Sequence, residues 1–140
     1  MDWKSTKSRF FSSAILYVSS SAAFMPSGPL MSSYYATKSY VLTLTNGIKE
    51  EIKKQGKNVT ISSLCLGPTA TNFNKKANIH ASVNEMDASY VAKEALIGMF
   101  KNKRVIIPGI SNKLLKLFIR FVPDNLLIKI NYNIQSKKYR

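Results

Sequence analysis

The chain has 140 residues, 45% of them apolar, and 21 basic against 7 acidic side chains give a formal charge of +14. This is one domain's length with enough apolar residues for a core, which excludes a disordered tail. A single cysteine, Cys65, excludes a disulfide framework or cysteine-rich zinc site, and a single histidine, His80, excludes His-pair metal motifs and disfavours a Ser-His-Asp triad.

Residues 1–13 are polar and without periodicity, which predicts a loop or a helix remnant. They lack the apolar h-region of ~7–15 residues that a secretory signal needs. No apolar run approaches the ~18 residues that cross a bilayer, so the expected location is the cytoplasm. Ala14-Ile15-Leu16-Tyr17-Val18 is a continuous apolar run bounded by serines and predicts a strand buried on both faces. Residues 19–33 are rich in Ser, and Pro26, Gly28 and Pro29 make them a loop. From Ser33 to Gln55, Val41, Leu44, Ile48 and Ile52 recur at spacings of 3, 4 and 4, one stripe of a helix that Gly56 stops.

Val59 to Leu66 predicts a second strand, halted by Gly67-Pro68, and residues 69–85 are polar and irregular. Asp87 is placed to cap a helix reaching Asn102, with Val91, Ala95, Leu96 and Met99 on its apolar face. Arg104 to Ile107 predicts a third strand, closed by Pro108-Gly109, and two amphipathic helices follow at about 111–121 and 124–136. Connections of this length join parallel strands, so the class is α/β: a partial, Rossmann-type sheet over 14–110 and basic amphipathic helices over 111–140. Right-handed crossovers would set the long helix on the sheet and the functional groups at the strands' carboxyl ends. A sheet of three strands would expose a hydrophobic edge, which natural proteins avoid.

The carboxyl ends bring together three segments: Ser19-Ser20-Ser21, Tyr34-Tyr35-Ala36-Thr37-Lys38 and Gly67-Pro68-Thr69-Ala70-Thr71. Tyr34 and Lys38 are four apart and share a helix face. An ammonium beside a phenol favours the phenolate, and a serine hydroxyl nearby can hold a carbonyl oxygen while the tyrosine exchanges its proton. With 7 Tyr and 17 Lys, about one such pair is expected by chance, so the ordered context carries the weight.

That ordered set resembles the short-chain dehydrogenase/reductase family. The run from Ile15 to Ala23 looks like the family's strand leading to its catalytic serine, and counting 13 residues back from Tyr34 selects Ser21 over Ser19 or Ser20. Tyr34-Tyr35-Ala36-Thr37-Lys38 matches the Tyr-x-x-x-Lys signature. The resemblance implies Tyr34 as acid/base and Lys38 as its partner and a nicotinamide-ribose ligand. Leu66-Gly67-Pro68-Thr69-Ala70-Thr71 resembles the Pro-Gly-x-x-x-Thr segment, with Leu66 in place of proline. It implies Thr69 and Thr71 as further cofactor contacts, NAD or NADP as cofactor, and a small carbonyl or alcohol as substrate. The family also implies dimerisation through the 34–55 helix.

The departures are large. All 6 glycines are scattered singly, so the Gly-rich turn that cradles a dinucleotide pyrophosphate has no counterpart here. The expectation is the carboxyl-terminal half of such an enzyme, inactive alone. Its start is read as a frameshift or misplaced start codon, in preference to a short protein complemented by a separate amino-terminal half.

Residues 101–140 hold ten Lys or Arg and one acid, a charge of +9. Leu114, Leu115, Leu117, Phe118 and Phe121 oppose Lys113, Lys116 and Arg120 on the first terminal helix, and Leu126, Leu127, Ile130 and Ile134 form the apolar face of the second. Such helices suit weak contact with an anionic membrane; the plainer expectation is that they cover the substrate end of the sheet or an oligomer contact. Nucleic acid is not expected, because Trp3 and the tyrosines do not alternate with basic residues as stacking platforms would.

Overall fold

Strands and helices alternate along the chain as the hydrophobic pattern requires. The computed structural model describes residues 13–72, 76 and 85–138, so the expected loop before Ser13 lies outside the described residues. Strand β1 (Ser13–Ser20) runs into a 3-10 turn (Ser21–Phe24) and helix α1 (Ser32–Lys54). Strand β2 (Val59–Leu66), helix α2 (Ala88–Phe100) and the short strand β3 (Val105–Ile106) follow, then helices α3 (Ile110–Ile119) and α4 (Asp124–Lys138). The strands form one parallel sheet in the order β1-β2-β3, which makes the chain α/β. Ser13 lies opposite Val59 and Ser20 opposite Leu66, so β1 and β2 end together.

Alternation of side chains along β2 assigns the layers. Leu64 packs with Val91 and Ala95 of α2 and with Ile106 of β3. Cys65, the next residue, packs with Leu42 of α1 and with Ala23. The two connecting helices therefore cover opposite faces of the sheet. Three parallel strands in consecutive order can satisfy that only if the two crossovers have opposite hands, so the expectation of right-handed connections fails for one of them.

Helix α1 also corrects the sequence reading. Its buried residues are Leu42 and Thr45, whereas Leu44 is exposed and Val41, Ile48 and Ile52 are only half-buried. The inward face runs on to Lys49, whose ammonium donates to the carbonyls of Ile61 and Asn102. Burial and the neighbouring Arg104 hold that ammonium below the usual lysine range. Lysine reaches inward here because carbonyl oxygens at the amino end of the sheet receive it.

The remaining boundaries follow local chemistry. Asp87 caps α2 as expected, its carboxylate accepting the Tyr90 N–H at 3.0 Å. The Ser89 hydroxyl and that N–H hold the carboxyl below the usual range. Of the four apolar positions expected inside on α2, Val91 and Ala95 are buried and Met99 packs on the core, but Leu96 is exposed. Gly98 takes the vacant place: a Cβ there would come within 2.6 Å of Ile106, so the missing side chain lets α2 sit close on the sheet.

Candidate active site

Because β1 and β2 end level, the residues that follow them meet at one edge of the sheet. They border a cleft of about 600 Å³. Its lining includes all five residues singled out in the sequence: Ser21, Tyr34, Lys38, Thr69 and Thr71.

The three serines at the end of β1 and just past it have separate duties. Ser19 is buried and its hydroxyl donates to the Lys38 carbonyl at 2.7 Å, which ties β1 to α1. Ser20 is also buried and caps the 3-10 turn, its oxygen accepting the Ala22 N–H at 3.2 Å. That acceptance leaves its own proton for donation. Ser21 opens the turn and is partly exposed at the cleft. The family resemblance points to Ser21; the fold brings Ser20 to the same wall.

Tyr34 and Lys38 occupy successive turns near the start of α1. The Lys38 ammonium lies 5.7 Å from the centre of the Tyr34 ring and donates to the Val18 carbonyl at 3.3 Å. This backbone bond steers the lysine toward the end of β1, beside the serines. Thr69 sits in the loop after β2, where its hydroxyl donates to the Gly67 carbonyl at 2.9 Å. A short parallel bridge, with Ala70 N–H donating to Met86 and Met86 N–H to Pro68, fixes that loop.

The far wall was not legible in the sequence. Asn131 and Gln135 of α4, both 3% exposed, reach Tyr35. The Gln135 amide donates to the Tyr35 oxygen at 2.6 Å, and that hydroxyl donates to Asn131 at 3.3 Å. Asn131 also donates to the Ser27 carbonyl at 2.7 Å. Tyr35 thus locks α4 against the start of α1, with its ring 6.0 Å from that of Tyr34 and edge-on to it. Gly28 makes room: a Cβ there would overlap the Tyr35 ring. Asn131 and Gln135 at i and i+4 were the available signal, but polar residues on an amphipathic helix ordinarily face water.

The thiol of Cys65 plays no part in the cleft. It is fully buried, and burial pushes it above the usual thiol range, which makes it a poor nucleophile. No group of His, Cys, Asp and Glu able to hold a metal occurs among the described residues.

The arrangement matches known folds. A short-chain dehydrogenase from Sphingobium yanoikuyae, solved in complex with NADPH, superposes with a TM-score of 0.62 at 23% identity, over 79% of this chain and 46% of its own. A 7beta-hydroxysteroid dehydrogenase gives 0.68 at 23% identity, over 84% and 45%. A short chain dehydrogenase from Burkholderia cenocepacia in complex with NADP gives 0.66 at 19%, over 81% and 45%. At these identities the likeness establishes the fold, and the chain spans slightly less than half the length of each of these structures. No curated protein matches it. The short chain dehydrogenase family model covers residues 9–82, just over half of the chain and the stretch from β1 past Thr71. On that match the chain belongs to the short chain dehydrogenase family.

Proposed function

We propose that this chain is the substrate- and nicotinamide-binding half of an NAD(P)-dependent oxidoreductase acting on a carbonyl or alcohol. One observation carries the reading: Ser21, Tyr34, Lys38, Thr69 and Thr71, from three separate segments, line one cleft at the carboxyl edge of the sheet. Tyr34 gives or takes the proton of the substrate oxygen, Ser21 holds that oxygen by hydrogen bonding, and Lys38 keeps its cation beside the Tyr34 ring. Ser20 is the competing donor.

The donor set suits part of the cofactor. Two threonines and one lysine in an otherwise largely apolar cleft fit the uncharged carboxamide and the ribose hydroxyls of a nicotinamide nucleoside. Lys38 is the one cation among the described lining residues, which does not suit a pyrophosphate. Lys38, Thr69 and Thr71 would hold the nicotinamide end, and the adenosine and phosphates need groups from elsewhere. When bound, the nicotinamide supplies or accepts the hydride. On this reading the dinucleotide-binding part sits beside β1. β1 is the outer strand of the described sheet, and Ile15 and Val18 on it are exposed. A complementing dinucleotide-binding segment would pair there. Exposed Tyr40 and Leu44 on α1 support self-association through that helix.

The test has two parts. Titrating NADH or NADPH fluorescence with these 140 residues alone is expected to show no micromolar binding, because the phosphate-binding energy is missing; micromolar binding would refute the half-site reading. Joined to a dinucleotide-binding half, the chain is expected to reduce carbonyl compounds in a Tyr34-dependent manner. Activity that survives Tyr34→Phe unchanged would refute the assigned chemistry.

A further inference from the structure

Helix α3 turns its apolar side away from the protein. At about 100° per residue, Asn112 and Ile119 project in nearly the same direction. They are the two buried residues of the helix. Ile110, Leu114, Leu117 and Phe118, with Phe121 just beyond, project within an arc of about 100° on the opposite side. All five are 58–77% exposed. A helix covering a core would show the reverse pattern.

The inversion has a local cause. Asn112 is drawn inward because its amide donates to the Pro108 carbonyl at 2.9 Å and fits over Gly67, where a Cβ would collide with it. Lys116 lies over the Phe24 ring at 5.0 Å. These contacts fix the rotation of the helix and leave the apolar stripe outside. Lys113 and Arg120, both exposed, flank the stripe on one side. α4 shows a milder version, with Leu126, Ile130 and Ile134 exposed while Leu127, Asn131 and Gln135 are buried, but Ile134 also lines the cleft.

Charge selects the occupant of the α3 face. A second copy would bring Lys113 and Arg120 of two strongly positive chains together, whereas an anionic lipid surface accepts both the stripe and the cations. No described helix is long and apolar enough to cross a membrane, so the geometry is one of lying on the surface. We propose that α3 docks on an anionic bilayer, with Ile110, Leu114, Leu117, Phe118 and Phe121 entering the headgroup–acyl boundary and Lys113 and Arg120 meeting lipid phosphates.

This inference is independent of the catalytic reading and is tested on the full chain by co-sedimentation with vesicles. Phosphatidylcholine vesicles containing phosphatidylserine are expected to bind it about tenfold or more tightly than phosphatidylcholine alone, and raising the ionic strength to about 1 M should remove that difference. Lys113→Glu with Arg120→Glu should weaken binding to the charged vesicles by at least about tenfold, as should Leu114→Glu with Phe118→Glu. All four positions are exposed, and an unchanged circular dichroism spectrum with a protected Cys65 thiol verifies folding. The milder Lys113→Gln with Arg120→Gln serves if a charge reversal fails to fold. Equal binding to neutral vesicles overturns the proposal. So does binding untouched by the stripe substitutions, a dimer in sedimentation equilibrium that those substitutions dissolve without lipid binding, or loss of binding once a dinucleotide-binding half is joined to the chain.

Discussion

Strands β1 and β2 have the same length and pair residue for residue, yet their surroundings differ. Six consecutive residues of β2 are buried, whereas β1 buries only its last two, Ser19 and Ser20. β2 has a strand on each side and a helix on each face, while β1 has a strand on one side only among the described residues. The two strands become alike only at their carboxyl ends, where both are packed and the cleft begins. The described sheet is thus well packed beneath the site and less so along β1.

The largest expected effect lies at that shared end. In the chain joined to a dinucleotide-binding half, Tyr34→Phe should lower the turnover rate by about 10²–10⁴-fold. Ser21→Ala should cost about 10²–10³-fold if it alone holds the substrate oxygen. An equal or larger loss with Ser20→Ala, read by the same steady-state assay, would transfer the role to the strand's last residue.

The next effect separates the strands directly. Ile61 on β2 is 1% exposed, and Ile61→Ala should destabilise the fold by about 2–5 kcal/mol in urea unfolding. Ile15 on β1 is 43% exposed, and Ile15→Ala should cost about 1 kcal/mol or less. Joining the complementing half should raise the cost at Ile15 and leave that at Ile61 unchanged. Equal costs in the isolated chain would erase the contrast.

Gly98 tests how tightly α2 presses on the sheet. The added methyl of Gly98→Ala meets Ile106 side-chain carbons at 2.6–3.0 Å, which should cost about 1–3 kcal/mol in the same unfolding measurement. The smallest effect belongs to the cap of α2. Asp87 has its carboxyl held low by hydrogen bonds from Ser89 and Tyr90. Its charge therefore contributes stability above its ordinary pKa, and that contribution is lost as pH falls through the depressed value. Asp87→Asn should keep the cap and flatten this acid limb of the stability-versus-pH curve; an unchanged limb would place the titration elsewhere.

Much of this was legible in residue order. The strand at Ala14–Val18, the caps at Asp87 and Gly56, and the Tyr34–Lys38 pair are local signals, set by side-chain chemistry and spacing within a few residues, but the burial expected of that strand on both faces fails, since Ala14, Ile15 and Val18 are exposed. The burial of helix faces was less legible. Val41, Leu44 and Ile48 form a clean stripe, but Leu42 and Thr45 go inside because the sheet meets α1 at a different angle. Asn131 and Gln135 resisted reading for a related reason: their partners, Ser27 and Tyr35, lie about a hundred residues away in the chain.

The sequence by itself determined the α/β class, the order of elements, and the serine, tyrosine, lysine and threonines that converge on the cleft. The class and element order rest on periodicity and turn residues, which act along the chain, and the choice of site residues rests on the resemblance of their motifs to those of the short-chain dehydrogenase/reductase family. Only the tertiary structure decided that Ser20 shares the wall with Ser21, that the two crossovers differ in hand, and that α3 faces its apolar stripe outward. Periodicity establishes that a helix has two faces; which one is covered depends on the hydrogen bonds and close contacts that fix its rotation, and those come from distant residues.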